Sequence, residues 1–233
     1  MVPVGVFLIE HLITNSMAFY GPEKFNKSVQ FIADLPFLPF LEIFGIFLPL
    51  AFHAIYGIKI AMSGKPNAAQ YPYMANRRYS LQRITGYIAF IFLIVHLAKF
   101  RFAHWVGLAE KHFLDTGDYF QTTYVGLMNF DAWGWSINSK VVLAFYLIGL
   151  AAACFHFANG LWTFCISWGI TVGAKAQQRV GAVAAVIGIS LFSLGVLSLT
   201  GFAMEGKTTT ESPEHSPAAH VEAVPASPGA AGH

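Results

Sequence analysis

Residues 141–166 of this 233-residue chain read VVLAFYLIGLAAACFHFANGLWTFCI, a stretch without a single Asp, Glu, Lys or Arg. A helix needs about 20 apolar residues to cross the hydrocarbon core of a membrane, so this stretch is long enough to span one. Four further apolar segments lie at 2–20, 41–62, 84–103 and 180–203. None alternates like a strand, and a helix satisfies its own backbone in lipid. The sequence therefore predicts an all-α integral membrane bundle of five helices.

The composition of the whole chain agrees with a membrane protein. Hydrophobic residues make up 55 % and charged residues only 11 %, with 22 phenylalanines, and the mean hydropathy is +0.54. A soluble domain has roughly a quarter charged residues, so soluble and disordered classes are excluded. The net charge of +2 is too small to indicate nucleic-acid binding. Cys154 and Cys165 form no CxxC pair, which argues against a disulfide framework or a zinc site.

The basic residues predict how the bundle is oriented. Short cytoplasmic loops of membrane proteins are enriched in Lys and Arg. Seven basic residues cluster around the loops after the second segment and before the fifth, whereas all twelve acidic residues fall towards the opposite side. We therefore expect the N-terminus in the cytoplasm and the C-terminus outside. The seven basic residues are Lys59, Lys65, Arg77, Arg78, Arg83, Lys175 and Arg179.

Two regions outside the apolar segments have their own character. Residues 204–233 are rich in Pro, Ala, Ser, Thr, Glu and Gly, a composition that is typical of a disordered tail. Residues 1–203 then form the membrane domain. The 103–140 connection contains Trp105, Trp133 and Trp135, and tryptophan favours the membrane interface.

Each of the first four predicted helices contains one histidine: His11, His53, His96 and His156. At a rise of 1.5 Å per residue, His11 and His96 lie nearer the outer surface and His53 and His156 nearer the inner one. Two histidines at one depth on facing helices is what bis-imidazole ligation of a haem iron needs. An ionisable residue within a span indicates function by default. Histidines that pack, or that relay protons in a small transporter, are the alternatives.

Two glycines and a proline lie near the inner pair. Gly57 and Gly160 each follow a histidine by one helical turn, on the same face, where a flat porphyrin needs close access to the backbone. Close packing between helices is the alternative reason for them. Pro49, one turn before His53, is expected to kink the second helix.

Four stretches together resemble the cytochrome b558 subunits of succinate dehydrogenase. They are PVGVFLIEHLITN (3–15), LPFLPFLEIFGIFLPLAFHAIYG (35–57), LQRITG with the later VHL (81–97), and FHFANGLWTFCISWGIT (155–171). The resemblance implies two b haems, with His53 and His156 on the one near the iron–sulfur subunit and His11 and His96 on the distal one. It implies a bacterial cytoplasmic membrane, and a flavoprotein and an iron–sulfur protein bound to the inner face. Electrons from succinate would then pass through both haems to quinone, with menaquinone as the expected quinone.

Quinone reduction also needs protons, so a protonatable group is expected near the outer pair. Asp34 and Glu42 are the main candidates and Glu10, beside His11, is a third; ordinary helix-start charge is the alternative for the first two. At the inner start of the third helix, Ser80, Gln82 and Arg83 are candidates for contact with haem propionates, quinone or a partner subunit.

Other functions stay open at the level of sequence. Fumarate reduction would use the same residues in reverse, and another di-haem, quinol-oxidising cytochrome b is a related alternative. A small transporter with a histidine proton relay represents a different class, for which an internal repeat is usual and none is visible. Family members begin with a basic, polar stretch before the first helix, and that stretch is expected upstream of Met1.

Overall fold

The structure is a computed structural model that describes residues 2–64, 69–71, 73–128, 130–132 and 135–210. Within these residues, five helical segments are long and apolar enough to cross a membrane, which confirms the predicted all-α bundle. These spans, numbered first to fifth, are Val2–Tyr20, Leu38–Ser63, Asn76–Lys99, Ser139–Ser167 and Ala174–Met204.

The helices do not all coincide with the spans. In chain order they are α1 (Val2–Ser16), α2 (Pro22–Ala33), α3 (Leu38–Leu41), α4 (Leu48–Ser63), α5 (Met74–Lys99), α6 (Tyr119–Met128), α7 (Ser139–Ser167) and α8 (Ala174–Thr210). Short 3-10 segments lie at Met17–Tyr20 and Phe113–Asp115, and a π-helical segment at Glu42–Phe47. Strands β1 (Phe130–Ala132) and β2 (Trp135–Ile137) form a small antiparallel hairpin.

The second span is an irregular helix. Its π-helical segment ends directly before Leu48 and Pro49. Proline has no N–H to donate to the preceding turn, and both prolines and π-bulges are recognised causes of helix bending. The irregularity thus lies in the turn before Pro49.

The bundle packs around α7, which contacts α5 on one side and α8 on the other, while α1 packs against α8. Small residues allow the close approach of α7 and α8, because a Cβ added at Gly188 would lie 2.8 Å from the Cβ of Ala158. The second span contacts mainly α1, and none of its residues is buried within the described chain.

One end of the bundle is covered by a helical layer that the sequence did not predict. Helix α2 packs against α6, and α6 packs against α8, where α1, α5 and α8 end. Phe25 of α2, which is 2 % exposed, contacts the rings of Phe120 and Phe202. We call this the capped end. The opposite end, where α4 and α7 end and α5 and α8 begin, is called the basic end.

Other boundaries also differ from expectation. The third span begins at Asn76 rather than near 84, and α8 continues to Thr210, seven residues into the segment expected to be a tail. Residues 211–233 lie outside the described residues, as do Lys65 and Trp133. The 103–140 connection holds α6 and the β-hairpin, with Trp105 exposed.

Candidate functional site

The four span histidines come together in two pairs. His11 of α1 faces His96 of α5, with 5.8 Å between the ring centroids and 83° between the ring planes. His53 of α4 faces His156 of α7, with 6.0 Å between centroids and 74° between planes. The structure thus brings together the same two pairs that the depth of each residue predicted, one pair nearer each end of the bundle.

The spacing within each pair is wide enough for both imidazoles to bind one metal ion. A metal–imidazole bond is about 2.0 Å long, so the centroids of two such rings lie on the order of 6 Å apart. No group of three or more His, Cys, Asp or Glu side chains suitable for a bare metal ion is present among the residues described. Each pair offers two donors, and a haem supplies the other four from its own ring. The residues present therefore fit a b haem.

The pair nearer the basic end is held by hydrogen bonds between α5 and α7. Nδ1 of His156 lies 3.0 Å from the backbone oxygen of Gln82, and Nε2 of Gln82 donates to the backbone oxygen of His156 over 3.1 Å. A carbonyl oxygen only accepts, so this contact needs the hydrogen on Nδ1. Nε2 of His156 is then the nitrogen with a free lone pair, available to a metal.

A glycine that the sequence analysis did not single out lies directly against this ring. A Cβ added at Gly86 of α5 would lie 3.0 Å from Cε1 and 3.2 Å from Nδ1 of His156. By contrast, a Cβ at Gly57 would meet nothing within 4 Å, and Gly160 is buried in α7. Gly86, on the opposing helix, therefore contacts the ring of His156 directly, whereas the role of Gly57 and Gly160 in packing against a porphyrin stays a prediction.

The pair nearer the capped end lies among aromatic rings. His96 is surrounded by Phe92, Phe100 and Tyr146, with centroid distances of 5.2–5.9 Å. Nδ1 of His96 is buried and has no hydrogen-bond partner among the described residues. On the other ring, Nδ2 of Asn15 approaches Nδ1 of His11 at 3.4 Å. This pair has nearly the same ring spacing as the first, but the described residues form no comparable interhelical hydrogen bonds to it.

A cavity of about 600 Å³ opens between α1, α2 and the start of the second span. Glu10 and Glu42 both line it, and Glu10 precedes His11 in the chain. Oε1 of Glu10 accepts a hydrogen bond from Thr14 over 2.7 Å, whereas Glu42 forms a two-pronged ion pair with Arg101. Asp34 is exposed and accepts from Gln30, outside the lining. Lys24, Lys27 and Ser28 are further polar lining residues.

The three candidates near the start of the third span have different surroundings. Ser80 donates to the backbone oxygen of Asn76, one turn earlier. Arg83 donates to the backbone oxygen of Gly64 over 3.0 Å and to the hydroxyl of Tyr79 over 2.6 Å, so it links α5 to the end of α4. Gln82 points inwards and joins α7.

Sequence reasoning gave no role in this site to Asn159 or Arg78, which lie beside Gln82. Asn159 is 2 % exposed within the fourth span, and its side chain bonds both Gln82 and Arg78. The signal was present, because Asn159 follows His156 by three residues and so lies on the same helix face.

No protein-family model matches the chain, and no solved structure matches it. One curated relative does. The chain is 41 % identical over 202 residues to the succinate dehydrogenase cytochrome b558 subunit of Bacillus subtilis (strain 168), and the match covers 87 % of this chain and 91 % of that protein.

Proposed function

The chain belongs to the family of succinate dehydrogenase cytochrome b558 subunits, and from this premise we propose that it anchors a succinate dehydrogenase in the membrane and transfers its electrons to quinone. Its five apolar helices and its relative make it a multi-pass bacterial membrane protein and a membrane subunit of an enzyme complex. The relative is named as a cytochrome b subunit, and this name implies haem b as the cofactor.

The observation that best supports this proposal is the pair of facing histidines at each of two levels, with centroids 5.8 and 6.0 Å apart. We assign His53 and His156 to a proximal haem and His11 and His96 to a distal one. Bound b haems supply one-electron carriers, while this chain's residues hold them at fixed positions and in a dry, apolar environment. Gly86 gives the ring of His156 room against α5.

The quinone is assigned to the cavity near the distal pair. Glu10 lines it and neighbours His11 in the chain, and the only hydrogen bond to its carboxylate within the described residues comes from Thr14. We therefore assign proton donation to Glu10. Glu42 is instead held in an ion pair with Arg101, which fixes the position of the second span. Asp34 lies one residue before Leu35 of the lining and is a candidate for passing protons in from the surface. Menaquinone is the proposed quinone, on the resemblance alone.

The flavoprotein and iron–sulfur subunits are proposed to bind the basic end, on the cytoplasmic face. Arg77, Lys175 and Arg179 are exposed there, and no carboxylate is described in the chain between Glu42 and Glu110. A basic surface suits an acidic partner. Arg83 and Ser80 lie at the same end, where they are candidates for contact with a partner subunit or with the propionates of the proximal haem.

The test is a dithionite-reduced minus oxidised spectrum of the purified complex, with haem quantified as the pyridine haemochrome. We expect two b haems per chain, partly reducible by succinate. His53→Ala is expected to lower the content to one haem. His104→Ala, at an exposed histidine outside the spans, is the matched control and should retain both. A complex without haem, or a His53→Ala variant with two, would contradict the proposal. Succinate oxidation and fumarate reduction are then distinguished by the measured haem potentials.

A further inference from the structure

A continuous set of hydrogen bonds runs from the basic end of the bundle to the ring of His156. Nε of Arg78 donates to Oδ1 of Asn159 over 2.8 Å, and Nδ2 of Asn159 donates to Oε1 of Gln82 over 2.8 Å. The side chain of Gln82 in turn donates to the backbone oxygen of His156, and the backbone oxygen of Gln82 lies 3.0 Å from Nδ1 of the ring. The four side chains alternate between α5 and α7, because Arg78 and Gln82 are four residues apart and His156 and Asn159 three. We call these four residues the His156 network.

Asn159 is the centre of the His156 network. It is 2 % exposed, yet its amide oxygen and its amide nitrogen both have partners. Buried polar groups are retained when they are fully hydrogen-bonded, and such groups fix one arrangement of the helices that share them. In the apolar fourth span, an amide with this set of bonds defines the register of α7 against α5.

Arg78 is itself fixed in place by three kinds of contact. Its guanidinium lies over the ring of Trp162 at 3.8 Å, its Nε donates to Asn159, and its backbone oxygen accepts from Nδ2 of Asn159 at 3.4 Å. The indole N–H of Trp162 donates to the backbone oxygen of Gln177 at the start of α8. A permanent positive charge is thereby held at one position and in one orientation at the proximal end of the site.

Among the residues that the structure describes, the distal pair has no counterpart to the His156 network. Nδ1 of His96 is buried without a hydrogen-bond partner among the described residues, and the rings around it belong to Phe92, Phe100 and Tyr146. The two histidine pairs therefore have similar ring spacings. They differ in that hydrogen bonds between α5 and α7 hold His156, whereas aromatic rings surround His96.

We propose that Arg78 and Asn159 are positioning residues for the proximal haem, fixing the ring of His156 and holding a positive charge that raises the midpoint potential of that haem alone. This inference rests on the proposed function, because it requires a haem at the proximal pair. Hydrogen bonds to the far nitrogen of a ligating histidine fix its tautomer and orientation and alter the properties of the metal. A nearby cation favours the reduced form, which has one positive charge fewer, so its loss lowers the potential.

The experiment is a redox titration of the intact complex, followed optically and by electron paramagnetic resonance, for Arg78→Gln and Arg78→Lys. In Arg78→Gln we expect two haems per chain, a negative shift in the proximal midpoint potential and an unchanged distal one. Arg78→Lys keeps the charge and should restore the proximal potential towards the unsubstituted value. His156→Ala identifies which signal is proximal, since it removes that one.

Each other outcome overturns the inference. An unchanged proximal potential in Arg78→Gln shows that the charge has no role, and equal shifts in the Gln and Lys variants show a packing role only. Should Arg78→Gln fail to assemble, Arg78→Met keeps an unbranched apolar stem near Trp162, removes the charge, and must produce the same negative shift. If the unsubstituted complex lacks haem, or if His156→Ala retains both, the proposed function itself fails. A His156-dependent haem that is insensitive to Arg78 overturns only this inference.

Discussion

At the scale of single residues, the space between Gly86 and the ring of His156 is too small for an added side chain. A Cβ at Gly86 would lie 3.0 Å from the imidazole, so Gly86→Ala must push the ring away from α5. The ring of His156 would have to shift by a few tenths of an ångström, which would weaken its hold on a bound haem. We predict that Gly86→Ala loses the proximal haem or changes its electron paramagnetic resonance spectrum, while the distal signal is retained.

Gly173→Ala is the matched control for this prediction. Gly173 lies just before α8, outside the spans, and a Cβ there would meet nothing within 4 Å. The same Gly-to-Ala change should therefore leave two haems per chain and both spectra unaltered. Equal spectra for Gly86→Ala and Gly173→Ala would show that the contact between Gly86 and His156 does not affect haem binding.

Glu10 offers a second test at this scale. Removing a well-placed proton donor lowers rates by about 10²–10⁴-fold, so Glu10→Gln is predicted to reduce quinone reduction by roughly 100-fold while haem content stays at two. Reduction of an artificial dye by the peripheral subunits is expected to be unchanged. Glu23→Gln, at an exposed carboxylate on α2 outside the cavity, is the control. Equal rates for the two variants would remove Glu10 from the quinone site.

At the scale of secondary-structure elements, the position of α2 depends on one buried side chain, that of Phe25. Phe25 is 2 % exposed and contacts Phe202 of α8 with 5.1 Å between ring centroids. Replacing a buried Phe by Ala costs about 3–5 kcal/mol. Phe25→Ala is therefore expected to lower the apparent melting temperature of the detergent-solubilised complex by several degrees.

Phe31 provides the comparison on the same helix, because it is 71 % exposed. Phe31→Ala removes the same atoms from a position with little packing, and its melting temperature should stay close to that of the unsubstituted complex. If Phe25→Ala and Phe31→Ala have the same melting temperature, α2 contributes to stability through its surface and not through the aromatic contact with α8.

Also at the element scale, the sequence predicts the spans well and the capped end poorly. Long apolar runs such as 141–166 are easy to recognise in the sequence, because a spanning helix needs about 20 predominantly apolar residues. Helix α2 has no such run: its apolar face consists of a few residues, Phe25 and Val29 among them, that become buried only when α6 and α8 cover them. The histidine pairs followed from helix direction and rise per residue. The role of Gly86 did not, because it depends on the ring that the neighbouring helix places against it, whereas the spacing of Asn159 from His156 was a usable signal.

At the scale of the whole molecule, charge separates the two ends of the bundle. Six of the seven basic residues of the predicted cytoplasmic loops are described, and they lie at the basic end, where α4 and α7 end and α5 and α8 begin. The described acidic residues occur instead in α1, in α2 and directly after it, at the start of the second span, in the 103–140 connection and at the end of α8. Such asymmetry is the determinant by which short loops are retained in the cytoplasm.

The orientation that this asymmetry predicts can be measured by cysteine labelling in spheroplasts. In a background of Cys154→Ala and Cys165→Ala, Ser136→Cys places a thiol on the exposed β2 strand beyond the capped end. Lys175→Cys places one on the exposed start of α8 at the basic end. A membrane-impermeant maleimide should label the first thiol in intact spheroplasts and not the second. Labelling of Lys175→Cys alone would show that the bundle has the opposite orientation. The basic end and its predicted subunit contacts would then lie outside the cell, where the proposed partners cannot bind.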